Sequence, residues 1–186
     1  MLLDAQKYNA IFDLVFIWSK TYHHDSKWKN IDLPKGSVFT KFNGDDALDL
    51  LEEIENVNKK KPVYTLFIFD DMITDGIMNP HKMGVIESIA VRGRHANVSI
   101  IIITQQYMAL SPAVRNNATN SIFFRIRNAD ELEKVAKENR ESLTREEFLN
   151  VYESATSEPY GFLHINNQQA DPKKRFWKNW GEPIPI

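Results

Sequence analysis

Two apolar periodicities take turns along this chain. Residues 12–19 (FDLVFIWS), 63–69 (VYTLFIF) and 98–104 (VSIIIIT) are near-continuous apolar runs of strand length, as expected for strands buried on both faces of a parallel sheet. Between the first two, Asp45 to about Lys59 places Ala47, Leu50, Leu51, Ile54 and Val57 on one stripe, which predicts an amphipathic helix. Asn79-Pro80 offers an N-cap followed by proline at the first helical position; Met83, Ile86, Ile89 and Ala90 mark that helix's inner face, and Gly93 its stop. Weaker signals predict a helix tail over residues 1–10, short strands at 37–42, 121–126 and 160–165, and a short helix opened by Ser111-Pro112. Two further helices are predicted over 128–140 and 144–155, the second opening with a capping box at Thr144-Arg145-Glu146-Glu147. This alternation predicts an α/β fold, a mostly parallel sheet flanked by helices. One domain is expected over residues 1–170, followed by a basic, aromatic tail over 171–186.

Composition narrows the classes. At 186 residues with 42% hydrophobic content, the chain can bury a sizeable core. No apolar run approaches bilayer length and no signal pattern opens the sequence, so neither a membrane partner nor secretion is expected. There are no cysteines, which excludes disulfides and thiolate metal sites. The net charge of −2 argues against a protein that coats DNA through a broadly basic surface. Contacts to nucleic acid would have to be few and local, multiplied by oligomerisation.

The sharpest chemical signal is LFIFDD, residues 66–71: a buried strand that delivers two acids, Asp70 and Asp71, at its C-terminal end. One carboxylate suffices for a hard cation such as Mg²⁺ that keeps most of its waters. A second, turned elsewhere by strand alternation, can orient an attacking water. Taken alone, the pair reads equally well as a solvated strand end. The polar end of the next strand, Thr104-Gln105-Gln106, likewise reads as a simple exit from the sheet. His23-His24-Asp25 is either a metal site or, more ordinarily, a solvated loop. The tail segment Lys173-Lys174-Arg175-Phe176-Trp177-Lys178-Asn179-Trp180 either stacks on bases or pins its rings against the sheet.

Order and spacing add to these fragments. After LFIFDD come Arg92-Gly93-Arg94-His95, then VSIIIITQQ, then LSPAVRNNATNSIFFRIRN. This succession resembles the FtsK–HerA superfamily, in which a Walker B strand is followed by a helix, an arginine-bearing turn and a strand ending in Thr/Ser-Gln. With Asp-Asp after the strand, Trp18-Ser19-Lys20-Thr21 early on, and Asp25 and Trp28 beyond it, the chain looks most like the packaging ATPases of poxviruses and other large DNA viruses. The likeness covers roughly residues 1–165.

The resemblance implies a RecA-like ATPase that pumps double-stranded DNA as a homo-oligomeric ring, a hexamer, in contact with capsid or portal-vertex proteins. It implies an intracellular location, in the virion or in a viral factory of the host cytoplasm. It assigns Mg²⁺ to Asp70, the attacking water to Asp71, and the γ-phosphate of ATP to Gln105, with Gln106 as the adjacent alternative. Among Arg92, Arg94 and Arg115, the last is preferred as a trans-acting finger because it lies just past the sensor loop. Two departures stand out: Asp71 where the superfamily has Glu, and no G-x-x-x-x-G-K-[ST] loop anywhere in the sequence. The expectation is an N-terminal truncation, with Leu2 and Leu3 on the helix after that loop. The chain alone is then expected to be inactive, with strand 98–104 left with an open edge or re-paired to 121–126. A P-loop-less, non-catalytic subunit and a cellular DNA pump of the same superfamily are the alternatives.

Overall fold

The structure, a computed structural model, describes residues 11–29, 31, 33–72, 80–171 and 174–186. The helix expected over residues 1–10, the Asn79 cap, the side chain of Met83 and Lys173 lie outside the described residues. The chain divides into two compact units, Met1–Val114 and Arg115–Ile186.

The first unit is built on four parallel strands, β1 (Leu14–Ser19), β2 (Val38–Phe39), β3 (Thr65–Asp70) and β4 (Val98–Ile103), in the order β2-β1-β3-β4. Pairing is in register from end to end: Leu14 faces Thr65 and Thr65 faces Val98 at one edge, and Ser19, Asp70 and Ile103 align at the other. Side-chain alternation then sorts the apolar run of β3 onto two faces. Phe67 and Phe69 join Trp18 against two helices, α1 (Gly44–Asn58) and α2 (Pro80–Arg92), which contribute Leu51, Ile54, Ile86 and Ile89. Leu66 and Ile68 face the other way with Ile17, covered by Trp28. Trp18 is sandwiched between Phe39 and Phe69, with ring centroids 4.9 and 4.7 Å away. Asn43 caps α1, its side chain accepting from the Asp45 amide, and Asp45 and Asp46 complement the helix dipole. Among the described residues β4 pairs with β3 alone, and strand 121–126 does not join it.

A short helix, α3 (Pro112–Asn117), spans the division. The second unit holds an antiparallel sheet of β5 (Asn120–Phe123), β6 (Leu163–Asn166), β7 (Phe176–Lys178) and β8 (Glu182–Pro183), paired in sequence order. Its helices are α4 (Ala129–Asn139), capped by Asn128, and α5 (Arg145–Thr156), opened by the expected capping box between Thr144 and Glu147. The tail is therefore not a separate segment. Phe176 is 1% exposed and meets Phe148 edge-on, while Trp180 lies against Phe162 and His164. Phe176 and Trp177 are neighbours in β7 and so point to opposite faces, Phe176 buried and Trp177 half-buried. Tyr152 ties α5 to the exit of β5, donating to the Phe124 carbonyl and accepting from the Ile126 amide. No helix among the described residues is long and apolar enough to cross a membrane.

Two stability predictions follow from the packing. Phe67 is fully buried between sheet and helices, so Phe67→Ala is expected to cost about 3–5 kcal/mol in chemical denaturation of the full chain. Burial of His164 holds its pKa below the ordinary 6.5, so its neutral form stabilises the fold above that value and the contribution is lost as pH falls through the depressed one. Denaturation midpoints measured below pH 6.5 should decline in the natural protein and decline less in His164→Gln.

Candidate functional site

Because the strands of the first unit run in one direction, their C-terminal ends share one edge, and loops converge there. Asp70 ends β3 at that edge and is only 2% exposed. A carboxylate so placed needs partners, because an uncompensated buried charge is expensive. Two are present. Ser19, its register neighbour at the end of β1, donates its hydroxyl to Asp70 Oδ2 at 2.7 Å. Lys27 places its ammonium 3.0 Å from Asp70 Oδ1 and 3.0 Å from Oδ2.

The segment that brings Lys27 there is locally determined. Asp25 caps a single 3₁₀ turn, Ser26–Trp28, by accepting from the Lys27 amide at 2.9 Å, and its other oxygen lies 3.1 Å from the Lys27 ammonium. Trp28 anchors the turn to the sheet face of Ile17, Leu66 and Ile68. Burial works against the Lys27 charge, but hydrogen bonds to Asp70 and Asp25 outweigh it and raise the pKa above its ordinary value. The amide and then the ammonium of Lys27 hold the Asp25 carboxyl below its usual range.

Asp71 is directed by a different device from the one expected. Strand alternation does not apply to it, because β3 ends at Asp70 and Asp71 takes a left-handed conformation, φ 50°. Aspartate tolerates that region better than most residues. The Asp71 amide donates to the Ile103 carbonyl at 3.0 Å, carrying the link to β4 one residue past the strand. Its carboxylate accepts from Gln105 Nε2 at 3.1 Å. Asp70, Asp71 and Gln105 therefore lie together at the C-terminal edge of neighbouring strands, and Gln105 rather than Gln106 reaches Asp71.

The arginines have other contacts. Arg92 grips Glu55 through two nitrogens, joining α2 to α1. Arg94 is exposed, with a 3.4 Å contact to His95 Nε2. Arg115, in the second unit, is buried to 5% exposure and forms a two-pronged pair with Glu138. Around His23 and His24 no metal cluster forms; among the described residues no three His, Cys, Asp or Glu side chains gather for one. An open depression of about 390 Å³ lies at the opposite, N-terminal edge of the sheet, near Leu14, Phe16 and Pro62. It is far in the sheet from the carboxylates. Ser19 and Lys27 carried no assigned chemistry in the sequence and Asp25 was weighed only within a His23-His24-Asp25 metal site, although the Trp18-Ser19 and Asp25…Trp28 pattern contains all three.

One carboxylate at a sheet edge suits a hard cation that brings its other ligands as waters and phosphate oxygens. The fold belongs with those of viral genome packaging NTPases. The structure of the NTPase B204 from Sulfolobus turreted icosahedral virus 2 with ATP-gammaS matches with a TM-score of 0.50 at 20% identity, covering 82% of this chain and 75% of that one. The same NTPase with AMP matches with a TM-score of 0.55 at 19% identity, covering 87% and 83%. Within that class, residues 39–172 match the poxvirus A32 protein family, and the chain belongs to it. Among curated protein sequences none matches.

The left-handed turn yields a prediction that also prepares a functional test. Asn accepts positive φ as Asp does, so Asp71→Asn should leave thermal stability within about 0.5 kcal/mol, whereas Asp71→Val should lower it by about 1–2 kcal/mol.

Proposed function

We propose that the complete protein hydrolyses ATP with Mg²⁺ and uses the energy to drive double-stranded DNA into a capsid. Membership of the poxvirus A32 protein family supports a viral genome packaging NTPase. The observation that carries the finer reading is the meeting of Asp70, Asp71 and Gln105 at one sheet edge. In this reading LFIFDD is the Walker B segment of an FtsK–HerA motor. Asp70 would hold Mg²⁺, an ion that keeps most of its waters, and when bound the ion would neutralise charge on the phosphates. Asp71 orients the attacking water and Gln105 senses the γ-phosphate, the two held in a common geometry by their hydrogen bond.

The working form is a homo-oligomeric ring, a hexamer, meeting capsid or portal-vertex proteins in the virion or viral factory. An arginine from the neighbouring protomer completes the site. Arg115 would have to leave Glu138 to act there, whereas Arg94 is exposed.

The test uses the full-length protein. Asp71→Asn should lower ATP turnover by about 10²-fold or more, since it removes a water-orienting base. Binding of ATP-gammaS, followed by calorimetry, should stay close to that of the unsubstituted protein. Full ATPase activity in Asp71→Asn would overturn the mechanism.

A further inference from the structure

The site contains a cation whose task the proposed mechanism does not use. The ammonium of Lys27 has three N–H groups and three carboxylate oxygens around it: Asp70 Oδ1 at 3.0 Å, Asp70 Oδ2 at 3.0 Å and Asp25 Oδ2 at 3.1 Å. Asp70 itself is almost wholly covered, whereas the Lys27 side chain is 46% exposed. The Asp70 carboxylate is covered by Ser19 from its neighbouring strand and by Lys27 from the loop.

A metal ion approaching Asp70 therefore meets the ammonium first. Like charges at contact distance repel, and Lys27 has to give ground as the metal arrives. Its backbone cannot go far, because Asp25 caps its turn and Trp28 is buried against the sheet. Its long, half-exposed stem can swing over the edge. There the anion that accompanies the metal, the terminal phosphate of a nucleotide, is the natural acceptor for a displaced ammonium.

We propose that Lys27 is a phosphate-contacting residue of the nucleotide site, held in waiting on Asp70 and Asp25 and transferred to the terminal phosphate when metal and nucleotide bind. This rests on the nucleotide-site reading given above. It assigns to residues 25–28 the role of a cationic arm: Asp25 sets the turn, Trp28 fixes it to the sheet, and Lys27 reaches.

The experiment compares ATP-gammaS and AMP binding, with Mg²⁺ present, in the full-length protein and in Lys27→Met, which keeps the stem and removes the charge. AMP lacks the β- and γ-phosphates, so its affinity reports on contacts to the base, ribose and α-phosphate and is blind to the proposed one. Lys27→Met should weaken ATP-gammaS by about ten-fold or more, the worth of a hydrogen bond to a charged group, and leave AMP within about two-fold. Lys27→Arg should restore much of the ATP-gammaS affinity. Unchanged ATP-gammaS affinity in Lys27→Met, or an equal loss for ATP-gammaS and AMP, would overturn the assignment and leave Lys27 as a support for Asp70. No ATP-gammaS binding by the unsubstituted protein would overturn both the assignment and the reading beneath it.

Discussion

Burying an acid at the end of a strand constrains everything around it. The six residues of β3 are all buried, and the last of them is Asp70. Its carboxylate is compensated there by the Ser19 hydroxyl and the Lys27 ammonium, and the first of these depends on register. A one-residue slip of β1 against β3 would take Ser19 out of reach and turn Trp18 away from Phe69. The polar bond at the edge and the aromatic sandwich beneath it thus select the same pairing. Core packing and site geometry are two readings of one alignment.

Two of the arginine–glutamate pairs show how differently the same chemistry weighs in different surroundings. Arg92 and Glu55 meet where both are substantially exposed, so their bond is screened by water and contributes little. Arg115 is almost fully buried beside the partly exposed Glu138, and removing Glu138 would take a two-pronged acid partner from a buried charge. A buried arginine held by two bonds is poorly suited to reaching outwards.

Much of the sheet edge was legible in the sequence. The apolar runs that became β1, β3 and β4, and the acids closing β3, follow from local pattern, although only β3 of the three is buried throughout. β4, expected buried on both faces, is largely half-exposed because β3 alone pairs with it among the described residues. The conformation of Asp71 was not legible, since an alternating pattern carries no mark of where a strand stops and a left-handed residue begins. Ser19 and Lys27 were missed for another reason: they meet Asp70 across 51 and 43 residues, and such distances are set by register rather than local preference. The second sheet was half legible. Strands near β5 and β6 were expected, but apolar runs do not announce pairing direction, and the charged approach to Phe176 disguised β7 as a tail.

The position of the tryptophans has a spectroscopic consequence. Trp18 is sealed between two rings one residue before Ser19, and Trp28 is buried with the Lys27 ammonium 5.3 Å from its ring centroid. Indole emission responds to nearby charge and to solvent. A cation that stays above Trp28 and one that departs would leave different fluorescence, without any label being attached. The protein thus carries its own optical probe beside the carboxylates, and stopped-flow emission could time events at that edge separately from the turnover they accompany.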